Sequence, residues 1–251
     1  MKIPTIVCLG TLVLLSACTT TSTRTHPTLA QELMLVDSVV IIPPDVEITL
    51  ITLTGENERM TENEAEIRKL LYENAKQSLT SKGYEVIDYD LQSEIANNEE
   101  FAYIVNQVKD GFTQAKKDLK QGQQISVEES RSVKASLGSA VNLVAEQSGA
   151  DAVLLVRYQG FEKSDGQIAK DIGTSVLVGV LTLGAVVPVQ ATSGALTEAA
   201  LIDGASGDVL WTDIKPGKLS SGVTSPAMES MPIDVDRADG APATQQLEGA
   251  D

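Results

Sequence analysis

The chain has 251 residues, 42% of them hydrophobic, enough for one large domain or two small ones with a proper core. Asp and Glu number 35 against 19 Lys and Arg, and the resulting net charge of -16 repels phosphate backbones and argues against nucleic acid as a partner. Aromatic residues make up only 4%, too few for a platform on which bases or sugars could stack.

The amino end reads as a targeting segment. Lys2 supplies one positive charge, and residues 3–15 are apolar apart from small or neutral breaks at Pro4, Thr5, Cys8, Gly10 and Thr11. That run is too short to remain as a membrane-spanning helix. It ends in Leu15-Ser16-Ala17-Cys18, which resembles the bacterial lipobox at all four positions. The resemblance implies that residues 1–17 are a lipoprotein signal peptide, that the Cys18 thiol takes a diacylglyceryl group, and that cleavage leaves Cys18 as an acylated first residue. The membrane is then a partner through the lipid on Cys18, and several acyl chains hold far better than one. The alternative is an ordinary signal sequence with Cys18 as a plain thiol. Cys8 lies in the removed segment, so a mature lipoprotein keeps no thiol for a disulfide. Sorting in this class turns on the residue after the cysteine; Thr19 in place of Asp implies the outer membrane, facing the periplasm. Residues 18–35 open with the polar "TTTSTRTH" and read as a tether.

A domain is expected over 36–215. "VDSVVIIPP" reads as a buried strand stopped by Pro43 and Pro44, and "VEITLITLT" as a second strand. Thr61-Glu62-Asn63-Glu64 has the spacing of a capping box, with Ile67, Leu70, Leu71, Ala75 and Leu79 on one helical face and Gly83 as a left-handed cap. "YEVIDYD" is the next strand. Phe101, Ile104, Val105, Val108, Phe112, Ala115 and Leu119 predict one long helix over 94–120, kinked at Gly111. Ser126-Val127-Glu128-Glu129 has capping-box spacing before a helix with Val133, Leu137, Val141, Val144 and Ala145 on its stripe and Gly149 at its end. "ADAVLLVRYQGF" reads as a core strand, and "ALTEAALID" and "GDVLWTD" as a hairpin around Gly204-Ala205-Ser206-Gly207. The fold class is α/β, a mixed β-sheet with packed helices.

Three pieces in order, "LTSKGYEVIDYD", "AEQSGADAVLLVRYQGF" and "ALIDGASGDVLWTD", resemble a small α/β domain shared by envelope lipoproteins and periplasmic proteins, including the TolB amino-terminal domain and the curli secretion lipoprotein CsgG. The matched pieces cover about a third of the chain, and the resemblance implies an envelope protein. The 94–120 stretch and the segment 172–197 depart from that pattern.

Residues 172–197 carry no charge. Three readings stand: a Gly-rich helix and loop covering the sheet or joining subunits, a transmembrane helix, or a membrane-inserting hairpin of the kind the curli lipoprotein uses. Residues 216–251 are rich in Pro, Gly, Ser, Ala, Gln and acids and read as a disordered acidic tail. Asp234 to Gly240, "DVDRADG", departs from a calcium loop because its third acid and its glycine come one position late and no Glu closes it. His26 is the sole histidine and falls in the expected tether, so a Ser-His-Asp triad or a histidine metal site has no imidazole to use. Asp88 and Asp90, two apart on the expected strand, are the remaining carboxylate pair, and they read as solvated strand-end groups rather than acid and base. Trp211, the only tryptophan, reads as a core plug for the hairpin.

The expectation is a noncatalytic outer-membrane lipoprotein that binds other envelope proteins or copies of itself in envelope assembly, export or surface maintenance, with no catalytic residues, cofactor, metal or small-molecule substrate inferred. The alternative is a pore-forming secretion subunit; a third class is a periplasmic hydrolase using carboxylates. Cys18→Ala tests the anchor directly. It abolishes lipid labelling and moves the protein out of the membrane fraction, as read by metabolic palmitate incorporation and fractionation.

Overall fold

The computed structural model describes residues 23–52, 57–121, 131–166, 168, 192–217, 219 and 228–233. Its elements follow the chain as β1 (Arg24–Thr25), α1 (Leu29–Leu33), β2 (Ser38–Ile41), β3 (Asp45–Ile51), β4 (Asn57–Arg59) and α2 (Glu64–Ser81). Then come β5 (Glu85–Val86), α3 (Leu91–Asn97), α4 (Glu99–Gln121), α5 (Ser139–Ser148), β6 (Ala152–Lys163), β7 (Ser193–Asp203) and β8 (Val209–Gly217). Among the described residues the strands form one mixed sheet in the order β1-β8-β7-β6-β2-β5, with β3 also on β6 and β4 outside β3. This is the expected α/β class.

Strand β6 organises the sheet. One edge pairs antiparallel with β7 from Ala152↔Asp203 to Glu162↔Ser193. The other edge is shared by two short parallel strands, β2 opposite Ala152 to Leu154 and β3 opposite Arg157 to Lys163. Between them stand Pro43 and Pro44, which have no N–H to donate to the ladder, so the edge breaks there and restarts at Asp45.

The two faces of the sheet carry separate cores. Val39, Ile41, Leu154, Val156, Leu201 and Trp211 pack with Ile67, Leu71, Ala75 and Leu79 of α2. Val40, Ile42, Val153, Leu155, Ala200 and Ile202 pack with Phe101, Val105, Val108 and Phe112 of α4 and Val141 and Val144 of α5. Burial on both faces explains why "VVII" and "AVLLV" are unbroken apolar runs rather than alternations. Trp211 is fully buried, in accord with a core plug.

Several expectations change. The tether is shorter than 18–35: β1 pairs with β8 at Arg24↔Thr212 and Thr25↔Trp211, and Thr23 Oγ1 donates to Asp213 Oδ1 at 2.9 Å. His26 therefore sits on the folded β8 edge, its amide donating to the Leu210 carbonyl (2.7 Å) and its Nδ1 2.7 Å from Thr28 Oγ1. The Thr61 capping box does not form. Helix α2 begins at Glu64, whose buried carboxylate takes Arg59 Nε at 2.8 Å and Nη2 at 2.9 Å and the Ile48 amide at 3.4 Å. The strand expected at "YEVIDYD" pairs only at Glu85–Val86. The long helix breaks at Asn98, not at Gly111: Asn98 is extended (φ -130, ψ 101), and its side chain accepts the Phe101 amide at 3.1 Å, capping α4. Gly111 lies within α4 and faces Leu137, which stands 3.7 Å from where a Cβ would be, an ordinary contact distance. Val133 and Leu137 are buried, yet they precede α5 in extended chain that bridges Thr25 and Asp208 through Ser132 and Ser136.

The last residues of 172–197 belong to β7, which begins at Ser193. The tail is also corrected in part, because Met228 and Met231 are each 1% exposed in the α2 core. They are clasped by Ser78 Oγ to Met228 O (3.4 Å), Lys82 Nζ to Met231 O (2.8 Å) and Ser230 Oγ to Asp213 Oδ2 (2.6 Å). Cys18, residues 172–191, the Ser126 capping box and Asp234 to Gly240 lie outside the described residues. Among the described residues no helix is long and apolar enough to cross a membrane.

Gly149 ends α5 in the left-handed region (φ 72), as its position in the sequence implies. Gly149→Val is expected to cost about 1–3 kcal/mol by backbone strain, and Met228→Ala about 2–5 kcal/mol by opening a cavity. Urea unfolding checks both. Truncation after Lys215 removes the methionine clasp and lowers the melting temperature.

Candidate partner-binding crevice

The chain leaves the parallel strands β2 and β5 in opposite directions. From β2 it passes through β3 and β4 to α2 on one face; from β5 it passes to α3 and α4 on the other. Such a divergence opens a gap beyond the carboxyl ends of the strands. Here the gap is a crevice of about 550 Å³, floored by Ile41, Pro43 and Pro44.

Its two walls differ in charge. Helix α2 contributes Arg68, Lys69 and Tyr72, and the chain between β5 and α3 contributes Asp88, Tyr89 and Asp90. Arg68 Nε donates to the Pro44 carbonyl at 3.1 Å, satisfying backbone exposed by the strand break. Asp90 Oδ1 accepts the Ser93 amide at 2.9 Å and caps α3, while Gln147 Nε2 donates to the Tyr89 hydroxyl at 3.3 Å. Burial pushes the Tyr72 phenol above its ordinary pKa, with Asp88, Glu73 and Asp90 adding to the shift, so it remains a neutral hydrogen-bond donor. The walls are fixed from behind, and their opposite charges and two phenols suit a polypeptide segment.

The sequence singled out Asp88 and Asp90, and the structure places both on the crevice. They follow β5 instead of sharing a strand face, and Asp90 is engaged as a helix cap. Arg68, Lys69 and Tyr72 were not singled out. Their signal was a helix turn carrying two cations and a phenol, and nothing local distinguishes it from a solvated helix face. Among the described residues no group of three His, Cys, Asp or Glu side chains could hold a metal ion.

A second polar cluster lies under α4, where the sheet face turns from apolar to charged. Lys116 of α4 pairs with Glu198 of β7, both side chains almost fully buried, and the ammonium stands 5.1 Å from the Phe112 ring centre. Arg157, opposite Glu198 in the β6–β7 register, lies 3.3 Å from Asp45 and donates from Nη1 to Thr113 Oγ1 at 2.9 Å. Burial lowers the pKa of Lys109, one turn before Thr113; Asp45 opposes that shift and Arg157 and Arg68 add to it. The first half of this helix is held by apolar contacts and its second half by matched charge.

No family model matches the sequence, and no curated protein matches it. Among solved structures the chain is similar to the lipoprotein GNA1162 of Neisseria meningitidis, with a TM-score of 0.30 and 11% identity over 77% of this chain and 88% of that one. It is similar to PelC of Paraburkholderia phytofirmans, solved as a dodecamer, with a TM-score of 0.31 and 14% identity over 84% and 91%. The LpoB C-terminal domain of Salmonella enterica gives a TM-score of 0.29 and 13% identity over 78% and 96%.

Breaking the buried pair leaves one charge without its partner. Lys116→Met and Glu198→Leu are each expected to cost about 3–5 kcal/mol, with most of the loss recovered in the double variant. A double-mutant cycle in urea measures the coupling.

Proposed function

We propose that this chain is a noncatalytic lipoprotein, anchored through Cys18 to the outer membrane and facing the periplasm, whose α/β domain binds another envelope protein. The lipobox supports the anchor. The observation that carries the binding role is the crevice, where Arg68 and Lys69 face Asp88 and Asp90 across two tyrosines at the point where the sheet connections diverge. Tyrosine offers a large contact area for little conformational entropy, and charges of both signs fix the direction of a bound segment. The backbone groups nearest the crevice are already satisfied by Arg68 and Asp90, so an entering peptide meets side chains in place.

The test is photocrosslinking in the intact envelope from Gln92, on the rim of the crevice. A discrete crosslinked partner is expected, and Tyr72→Ala should reduce its yield about tenfold, the effect of losing one anchoring aromatic, while the melting temperature changes little. Yield unaffected by Tyr72→Ala places binding elsewhere and sinks this reading. Ion conductance by the purified assembly in a planar bilayer favours the pore-forming alternative instead.

A further inference from the structure

We infer that the outer edge of β5 takes an extended, basic segment of the partner as an added strand. The inference rests on the crevice reading and supplies its manner of binding, since β5 runs directly into the acidic wall at Asp88 and Tyr89.

The backbone of β5 is used on one side only. The Glu85 and Ile87 amides donate to the Asp37 and Val39 carbonyls, each at 3.0 Å. Successive residues of a strand alternate, so the Val86 N–H and C=O point away from β2. Among the described residues no strand lies beyond β5, and the Val86 amide has no hydrogen-bond partner. Val86 packs against the α2 core and Ile87 against the α4–α5 core, both half-buried. A strand added here extends both cores while its backbone pairs with the open edge.

The other margins of the sheet lack this combination. Strand β1 is covered by the chain beside it, where the Thr25 amide donates to the Arg131 carbonyl at 2.9 Å and the Val133 amide to the Thr25 carbonyl at 3.0 Å. Strand β4 has three residues, Asn57, Glu58 and Arg59, all exposed and none apolar.

Charge selects the occupant. Glu85, Asp88 and Asp90 are exposed, residues 84–90 contain no cation, and none of the three acids is in a salt bridge among the described residues. A second copy pairing β5 on β5 brings like charges together. The chain's own tail reaches this edge, where the Tyr84 hydroxyl donates to the Pro232 carbonyl at 3.3 Å, but it continues with Asp234, Asp236 and Asp239 against Arg237. A foreign segment with two apolar residues between two cations fits better: the apolar pair lies beside Val86 and Ile87, and the cations beside Glu85 and Asp88.

The probe is acetyl-Thr-Lys-Val-Val-Lys-Thr-amide, added at millimolar concentration to the protein purified in nonionic detergent, and the readout is hydrogen exchange at the Val86 amide by NMR. In the free protein that amide is expected to exchange fast. The peptide slows it several-fold, whereas a counterpart with Glu for Lys, or the same peptide N-methylated at both valines, does not. Val86→Pro removes an N–H that no ladder bond uses, so it abolishes binding of the labelled peptide, read by anisotropy, while the melting temperature changes little. No protection by the basic peptide, or equal protection by the acidic one, overturns the inference. So does a Val86 amide already protected in the free protein, by the tail if truncation after Ile233 releases it or by a second copy if dilution does. The crevice reading is decided separately, by the Gln92 crosslink and its dependence on Tyr72.

Discussion

Strand β6 is covered on both faces and paired along both edges, so every side chain in its first half must be one that needs no water. Ala152, Val153, Leu154, Leu155 and Val156 meet that constraint, each at most 2% exposed. Alternate members feed the α2 core and the α4–α5 core, which joins the two helical layers through one strand. Beyond Val156 the requirement changes. Arg157 is carried into a partly buried position and is acceptable there because Asp45 and Thr113 meet its guanidinium. Glu198, its neighbour on β7, is acceptable because Lys116 comes down from α4. A charge taken out of water costs several kcal/mol unless it is matched, so this second half fixes the register of α4 more by exclusion than by attraction.

The crevice is a by-product of the same strand. An unbroken neighbour along β6 would have closed the sheet edge, but two consecutive prolines cannot donate hydrogen bonds and leave a step between β2 and β3. The step exposes the Pro44 carbonyl, Arg68 covers it, and the helix that brings Arg68 also brings Lys69 and Tyr72. Strand interruption, helix placement and the charge of one wall are therefore a single local solution.

Elements whose patterns are set by burial were legible in the sequence: β6, the β7–β8 hairpin, the stripe of α2 and the glycine ending α5. The misreadings share a physical origin. Periodicity runs smoothly through Asn98 because α3 and α4 both pack on the same core, so the break shows only in the capping bond of the Asn98 side chain. Val133 and Leu137 have helical spacing, yet an extended buried segment can present the same two residues to a core. Met228 and Met231 stand in polar, proline-containing sequence, and two side chains make no period; their burial is visible only once α2 and β8 supply the walls. Of the crevice, only Asp88 and Asp90 stood out, since its basic wall is written into an ordinary amphipathic helix.

The first strand of the domain is held by its last. Thr23 and Asp213 are 190 residues apart, and the β1–β8 pairing spans nearly as much chain. Contacts of such sequence separation form late, after helices and the β6–β7–β8 meander have closed their shorter loops. Until β8 is in place, Arg24 and Thr25 have no strand edge to pair with. The sheet therefore gains its outermost strand only when Arg24 and Thr25 zip onto a β8 already paired with β7, so the first residues of the fold are among the last to be fixed.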